Sequence, residues 1–413
     1  MTIRRKVSSS ITEPPADLLN AFPSCPTVAW VRRGQGLVGW GIAARATFVG
    51  PERFSRAQRW FSDWLDECEV DDQASLTGSG PLAFASFTFD DESPGSVVVI
   101  PRVLLGVRDG VAWRTEVTPA QDEVRSDDQG DAPVPRSRCE QPRWRDETAA
   151  TANWSSSVGE ALKRISAGEV DKIVLARAVQ AEFDEPLDLR PVLTRLAATQ
   201  PECWTFHVED LIGATPELLI RRFGEQVTSR VLAGTVPGSG SADEDERHAR
   251  RLRASPKNLA EHEYAVRSVA HALSVHCTDL DVPTDPAVLR LPNVQHLATD
   301  VSGRLADGST ALALAAQLHP TAAVCGTPTE RAMALIAELE DIRRGRYSGP
   351  VGWFDGNGDG EIALALRCAQ FSSDRRSARL FAGCGLVADS QPGAELAESE
   401  AKLDAMRQAL IGD

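Results

Sequence analysis

No run of about 18 apolar residues occurs in the 413-residue chain, so no transmembrane helix is expected. The opening Met-Thr-Ile-Arg-Arg-Lys has basic residues but no apolar core behind them, so no secretory signal is expected either. The chain has no C-x-x-C pair. Its eight cysteines (Cys25, Cys68, Cys139, Cys203, Cys277, Cys325, Cys368 and Cys384) are scattered, which gives neither a zinc nor a disulfide signature and fits reduced thiols in a cytoplasmic protein. Basic residues are in the minority, 44 against 59 acidic, for a net charge of −15, which argues against a nucleic-acid partner. Walker A, H-E-x-x-H and G-x-S-x-G sequences are all missing, and Gly238-Ser-Gly-Ser has no Lys-Ser/Thr after it. Asp355-Gly-Asn357-Gly-Asp359-Gly360 imitates the start of an EF-hand loop, but the twelfth position is Leu366 where a bidentate Glu is needed. A hairpin turn accounts for it better.

The chain does contain enough hydrophobic residues, 42%, for a large core. Strands are expected at Leu37–Ala43, Leu82–Phe89, Ser96–Pro101, Lys172–Val179, Trp204–Val208, Gly349–Phe354 and Glu361–Gln370, with a hairpin beginning at Ile212. Helices are expected at Arg56–Asp66, Trp154–Ser166, Ser255–His276 and Pro328–Arg344, and from Glu395 to the C-terminus. Ser255-Pro256 supplies an N-cap and a first-turn proline. Strands and helices mix without strict βαβ alternation and no repeat of fixed period is present. The expected class is therefore α+β, with a large, mostly antiparallel sheet system and helices packed outside it. Residues 1–150 would form an N-terminal part and 151–413 a catalytic region, together one compact unit. Between 119 and 146 the acidic, proline-bearing composition reads as an exposed connection.

Several residues carry possible chemistry. Glu395 and Glu398, three apart at a helix start, share one helix face and suit a hard cation with oxygen ligands; an acidic solvated turn is the alternative. Arg367 stands in an apolar strand, either as an anion receptor or in a buried ion pair. Gly383 and Gly385 permit close backbone approach or a simple turn. Lys402 can pair with Glu398 one helical turn back, and Lys172, at the head of an apolar strand, reads by itself as an ordinary edge lysine. His296 serves equally well as a core histidine, and His319 as a shaper of its own loop.

Five segments in order over roughly 150–410 resemble the chorismate-utilising enzymes, the family of isochorismate, salicylate, anthranilate and aminodeoxychorismate synthases. They are Lys172-Ile-Val-Leu-Ala-Arg, Gly213-Ala-Thr-Pro-Glu-Leu-Leu, Leu232-Ala-Gly-Thr-Val-Pro, Lys257-Asn-Leu-Ala-Glu-His, and the stretch from His319-Pro-Thr-Ala-Ala-Val-Cys-Gly-Thr-Pro to the C-terminal Glu-x-x-Glu. The resemblance implies that Glu261, Glu395 and Glu398 hold one Mg²⁺. It also implies that Gly234, Thr235, His296, Tyr347, Arg367, Gly383, Gly385 and Lys402 bind the substrate. Lys172 would be the general base and Glu217 the general acid. For the lysine this requires burial or neighbouring positive charge; for the glutamate it requires apolar surroundings that keep it protonated.

Within the family, Lys172 matches members that add water, where those that add ammonia usually carry Gln. Ala233 stands where aminodeoxychorismate synthases place a nucleophilic lysine. The resemblance thus implies an Mg²⁺-dependent isochorismate synthase, an isomerase that adds water at C2 of chorismate and removes the C4 hydroxyl. A salicylate synthase that goes on to eliminate pyruvate, or a non-catalytic chorismate binder, are the alternatives. The product would feed siderophore or menaquinone synthesis. Val236-Pro237-Gly238-Ser239 and Asn258 depart from the family's usual Arg-Gly and acidic residue. No dimer-forming element stands out, so a monomer is expected.

Overall fold

A computed structural model describes residues 5–21, 27–118, 141–145 and 147–411. Among them, 21 strands form one hydrogen-bonded network, flanked by eight α-helices and a short 3₁₀ helix, so the α+β expectation holds. Pairing is antiparallel throughout except where Arg5–Thr12 runs parallel to Cys68–Asp72. The network has two limbs. One runs from Lys172–Glu182 through Ser377–Leu386, Cys368–Phe371, Leu211–Thr215, Trp204–Val208 and Val28–Arg32 to Gln35–Phe48. The other runs from Leu82–Ser86 through Pro350–Asp355, Gly360–Leu364, Leu218–Phe223 and Gln226–Pro237 to Val294–Leu305. The long strand Ser96–Arg108 joins them, pairing Gln35–Phe48 along its length and Leu82–Ser86 at its start. Strands from 1–150 therefore pair directly with strands from 151–413.

The burial patterns follow from this layering. Trp204–Val208 is buried at every position, as a strand covered on both faces must be. Val294–Leu305 becomes an alternation of buried and open residues toward its end, with one face turned outward. An aromatic core of Trp30, Phe84, Trp113, Phe206, Tyr347, Trp353 and Phe381 fills the interior between the limbs. Burying a phenylalanine side chain such as Phe84 or Phe206 contributes roughly 1.5–3 kcal/mol. Outside, Leu189–Thr199 and Pro392–Ile411 cover the first limb. Arg53–Asp66, Pro256–Ser274, Ala311–Leu318 and Thr329–Leu339 pack into the largest cluster together with Glu147–Ser166.

Several boundaries differ from expectation. The strand expected over Glu361–Gln370 is two strands, Gly360–Leu364 and Cys368–Phe371, which belong to different limbs. The break is at Arg367, whose φ of 47° is incompatible with a continuous strand. The helix expected over Pro328–Arg344 ends at Leu339, because Glu340 and Arg344 turn inward as a buried ion pair. Leu82–Phe89 stops at Ser86, and the Arg56 helix begins at Arg53. The Trp154 helix starts at Glu147 and the C-terminal one at Pro392. Ser255 caps Pro256–Ser274 as expected, accepting from the Asn258 N–H at 3.3 Å. Asp355-Gly-Asn-Gly-Asp is a hairpin turn in which Asp355 Oδ1 accepts from the Asn357 and Asp359 N–H groups at 2.9 Å. Most of the connection expected over 119–146 lies outside the described residues, as do Cys25 and Cys139; Arg143–Arg145 instead form a strand against Glu182–Gln180. The six described cysteines are free thiols.

Candidate active site

The chain passes from one limb to the other at two adjacent places, and each carries an expected site residue. Pro216-Glu217 lies between Leu211–Thr215 and Leu218–Phe223; Leu366-Arg367 lies between Gly360–Leu364 and Cys368–Phe371. The crossings are stitched together, since the Leu364 N–H donates to Glu217 O at 3.1 Å and the Ala214 N–H to Arg367 O at 3.2 Å. Side chains at these positions point into the cavity between the limbs. Its lining includes Glu217, Thr235, Glu261, His296, Tyr347, Arg367, Gly383, Gly385 and Lys402.

Glu217 is 5% exposed. Burial drives its carboxyl up to about 8, against the opposing pull of Lys172, the Leu232 amide, Lys402 and Arg367. It is therefore a protonated acid at neutral pH. Arg367 is buried with no ion-pair partner among the described residues, so the ion-pair alternative is not what forms. Burial lowers its pKa, but an arginine remains charged. Its Nη2 donates to His296 Nε2 at 2.5 Å, and His296 Nδ1 lies 3.1 Å from Thr235 Oγ1. Burial, Arg367 and Lys402 hold the imidazole pKa well below its usual value, so the ring is neutral and carries its proton on Nδ1. Thr235 also favours the ionised form of the Glu398 carboxylate. A hydrogen-bonded chain thus runs from Arg367 through His296 to Thr235. Gly234 makes it possible: at φ 76° it forms a bulge between Ala233 and Thr235, and a Cβ there would lie 3.0 Å from Asn258 Cβ.

Lys172 is fully enclosed, which removes the edge-lysine reading. Its Nζ makes no hydrogen bond and stands 3.4 Å from Glu261 Oε1. Strand Lys172–Glu182 runs beside Ser377–Leu386, placing Val174 opposite Gly385 and Ala176 opposite Gly383. Neither glycine has a positive φ; what each provides is room. A Cβ on Gly385 would fall 2.1 Å from Glu261 Oε1 and 3.0 Å from Lys172 Cε, and one on Gly383 would meet the Tyr347 hydroxyl at 3.0 Å. Tyr347 stacks on Phe381 at 5.0 Å, and burial raises its hydroxyl pKa to about 12.

The three acidic residues are each held by a lysine. Lys172 faces Glu261, Lys257 Nζ lies 2.5 Å from Glu395 Oε1, and Lys402 Nζ lies 2.6 Å from Glu398 Oε1 and 2.9 Å from Gly383 O. The last pair is the one-turn salt bridge foreseen from sequence. Burial works against the Lys402 charge, but Glu398 and its neighbours hold that ammonium above the ordinary lysine value. Burial and Glu398 raise the Glu395 pKa, whereas Lys402 brings Glu398 below the usual value despite its burial. Such opposite shifts mark two carboxylates crowded together.

These residues fit a hard divalent cation. Ligand atoms of Cys384, Glu395 and Glu398 lie within 4.8 Å of one another. Glu261, expected from sequence as the third ligand, lies outside that group, though its charge is felt by both Lys257 and Lys402. Cys384 was not foreseen. Its thiol donates to Glu395 O at 3.2 Å and burial drives its pKa far up, so it stays protonated and leaves the carboxylates as the usable donors. His319 lies outside the cavity, its Nε2 donating to Phe89 O at 2.8 Å, a loop-shaping role. Sequence reasoning also missed Arg344. It pairs with Glu340 and donates to Val324 O at 2.7 Å and Val174 O at 2.8 Å, clamping one wall of the cavity.

The family model described as chorismate binding enzyme matches residues 26–411. A putative isochorismate synthase MenF of Mycobacterium tuberculosis is 37% identical over 353 residues, covering 82% of this chain and 89% of that protein. Among solved structures, a putative 2,3-dihydroxybenzoate-specific isochorismate synthase, DhbC, from Bacillus anthracis superposes with a TM-score of 0.78 at 30% identity, over 96% of this chain and 99% of that one. The menaquinone-specific isochorismate synthase MenF of Escherichia coli gives 0.77 at 25% identity, covering 100% and 96%.

Proposed function

Since the chain belongs to the chorismate-binding enzyme family, we propose that it is an isochorismate synthase, an isomerase acting on chorismate. The observation that carries the chemistry is a protonated Glu217 in the cavity wall with the enclosed Lys172 behind that wall, close enough to act on it electrostatically. Glu217 donates its proton to the C4 hydroxyl, which leaves as water. Lys172 takes a proton from the incoming water as its oxygen bonds to C2, and the ring double bonds shift between the two positions. One water enters and one leaves, so nothing is oxidised or reduced.

Chorismate is a dianion, and this protein is itself strongly acidic. Arg367, buried and without a carboxylate of its own, offers a planar donor pair to one carboxylate, with the Tyr347 hydroxyl beside it. Glu261, Glu395 and Glu398 would hold Mg²⁺, which supplies positive charge for the other. Free cysteines agree with a cytoplasmic setting.

Turnover in ¹⁸O-labelled water tests the reading. Isochorismate carrying one ¹⁸O at C2 is expected, with loss of turnover in both Lys172→Ala and Glu217→Gln. Unlabelled isochorismate, or Lys172→Ala turning over normally, would overturn the mechanism. Salicylate with pyruvate would assign the salicylate synthase activity instead.

A further inference from the structure

Glu261, Glu395 and Glu398 each engage a different lysine, so three negative charges meet three positive ones before any cation arrives. Each lysine already takes one oxygen of its carboxylate, so a divalent ion enters in competition with the lysines, and it gains most where one gives up its partner. The three are not equally placed to do so. Lys172 has no exposed side-chain surface. Lys402 has a second tie, to Gly383 O. Lys257 has 27% of its side chain exposed, makes its bond to Glu395 alone, and does not line the cavity.

Lys257 is also a cation where the fold disfavours one. It sits in the first turn of Pro256–Ser274, and the positive end of a helix dipole repels an ammonium. Nothing in the helix calls for it there, whereas Glu395, Glu261 and Glu398 all attract it electrostatically. Release costs little, because the stem can carry the ammonium out to water.

We infer that Lys257 is a displaceable counter-ion, which occupies Glu395 in the metal-free protein, swings to solvent when the divalent cation binds, and so sets the affinity of the site. Lys257 is thereby a positioning residue that acts through Glu395, and the inference rests on the metal reading of the three glutamates given above.

Binding of Mg²⁺ and of Mn²⁺ to the full chain, measured by calorimetry without substrate, tests it. Lys257→Gln removes the competitor, and both ions are expected to bind roughly tenfold tighter, within the usual range for coupled sites. Lys257→Arg keeps the charge and should not tighten binding. In the wild-type protein, acylation of Lys257 followed by mass spectrometry should rise with Mg²⁺ over the concentration range of the binding isotherm. This needs no variant and decides the matter if Lys257→Gln does not fold. Unchanged or weaker binding in Lys257→Gln, or labelling that ignores Mg²⁺, overturns the inference while leaving the metal site standing. A wild-type protein that binds neither ion, or a Glu395→Gln variant that binds both normally, overturns the metal reading and this inference with it.

Discussion

Glu217 shows how burial alone prepares a side chain for chemistry. Its carboxyl is pushed from 4.5 to about 8 chiefly by loss of water, even with two lysines and an arginine pulling the other way. As an acid it works only while protonated, so turnover should decline as pH rises through about 8. A rate that keeps climbing above that pH would remove Glu217 from the role. The stability sign is linked: the folded state holds this proton more tightly than the unfolded chain, so the contribution is full below 4.5 and lost as pH rises through about 8. Glu217→Gln should abolish that slope while costing about 10²–10⁴ in kcat, the span usual for a general acid. Arg367 is a comparable case, a buried charge without a carboxylate partner among the described residues. Both residues were legible in the sequence as types in a motif. That one would be a neutral acid and the other an unpaired cation follows only from three-dimensional burial.

At the scale of elements, the decisive features are places where regular structure stops. Capping showed the start of Pro256–Ser274, because Ser255 and Pro256 are local signals. The interruption at Arg367 was not visible: Ile362-Ala-Leu-Ala-Leu-Arg-Cys-Ala reads as one apolar strand, and the change of limb is dictated by partners distant in sequence. The end of Thr329–Leu339 was hidden for a similar reason, since Glu340 and Arg344 serve the opposite wall. Glu340→Ala leaves Arg344 buried and uncompensated and should lower unfolding stability by about 3–5 kcal/mol in denaturant titration; a loss under about 1 kcal/mol would show that the pair carries no such load. Gly385 separates packing from function differently. In Gly385→Ala the new Cβ collides with the tip of Glu261 rather than with backbone. The melting temperature should stay near wild type while Mg²⁺ affinity drops tenfold or more, the scale of disturbing a ligand's support. Equal affinity would mean that Glu261 is not a ligand.

For the whole molecule, the two limbs are a device for making a small interior of mixed charge inside a strongly acidic protein. Sequence order hides this, because Lys172, Glu217, Glu261, Arg367 and Glu398 are spread over more than half of the chain, and their convergence comes from strand pairing. With three lysines already beside three glutamates, a dianionic substrate would be left to Arg367 and to a bound cation. Chelation should therefore stop catalysis without unfolding the protein. The most direct measurement is incubation of the purified protein with chorismate and Mg²⁺, with and without EDTA, and chromatographic resolution of the products. Isochorismate as the sole product, lost on chelation and restored by excess Mg²⁺, is the expected result. Turnover indifferent to EDTA, or chorismate unchanged in every tube, would contradict the account.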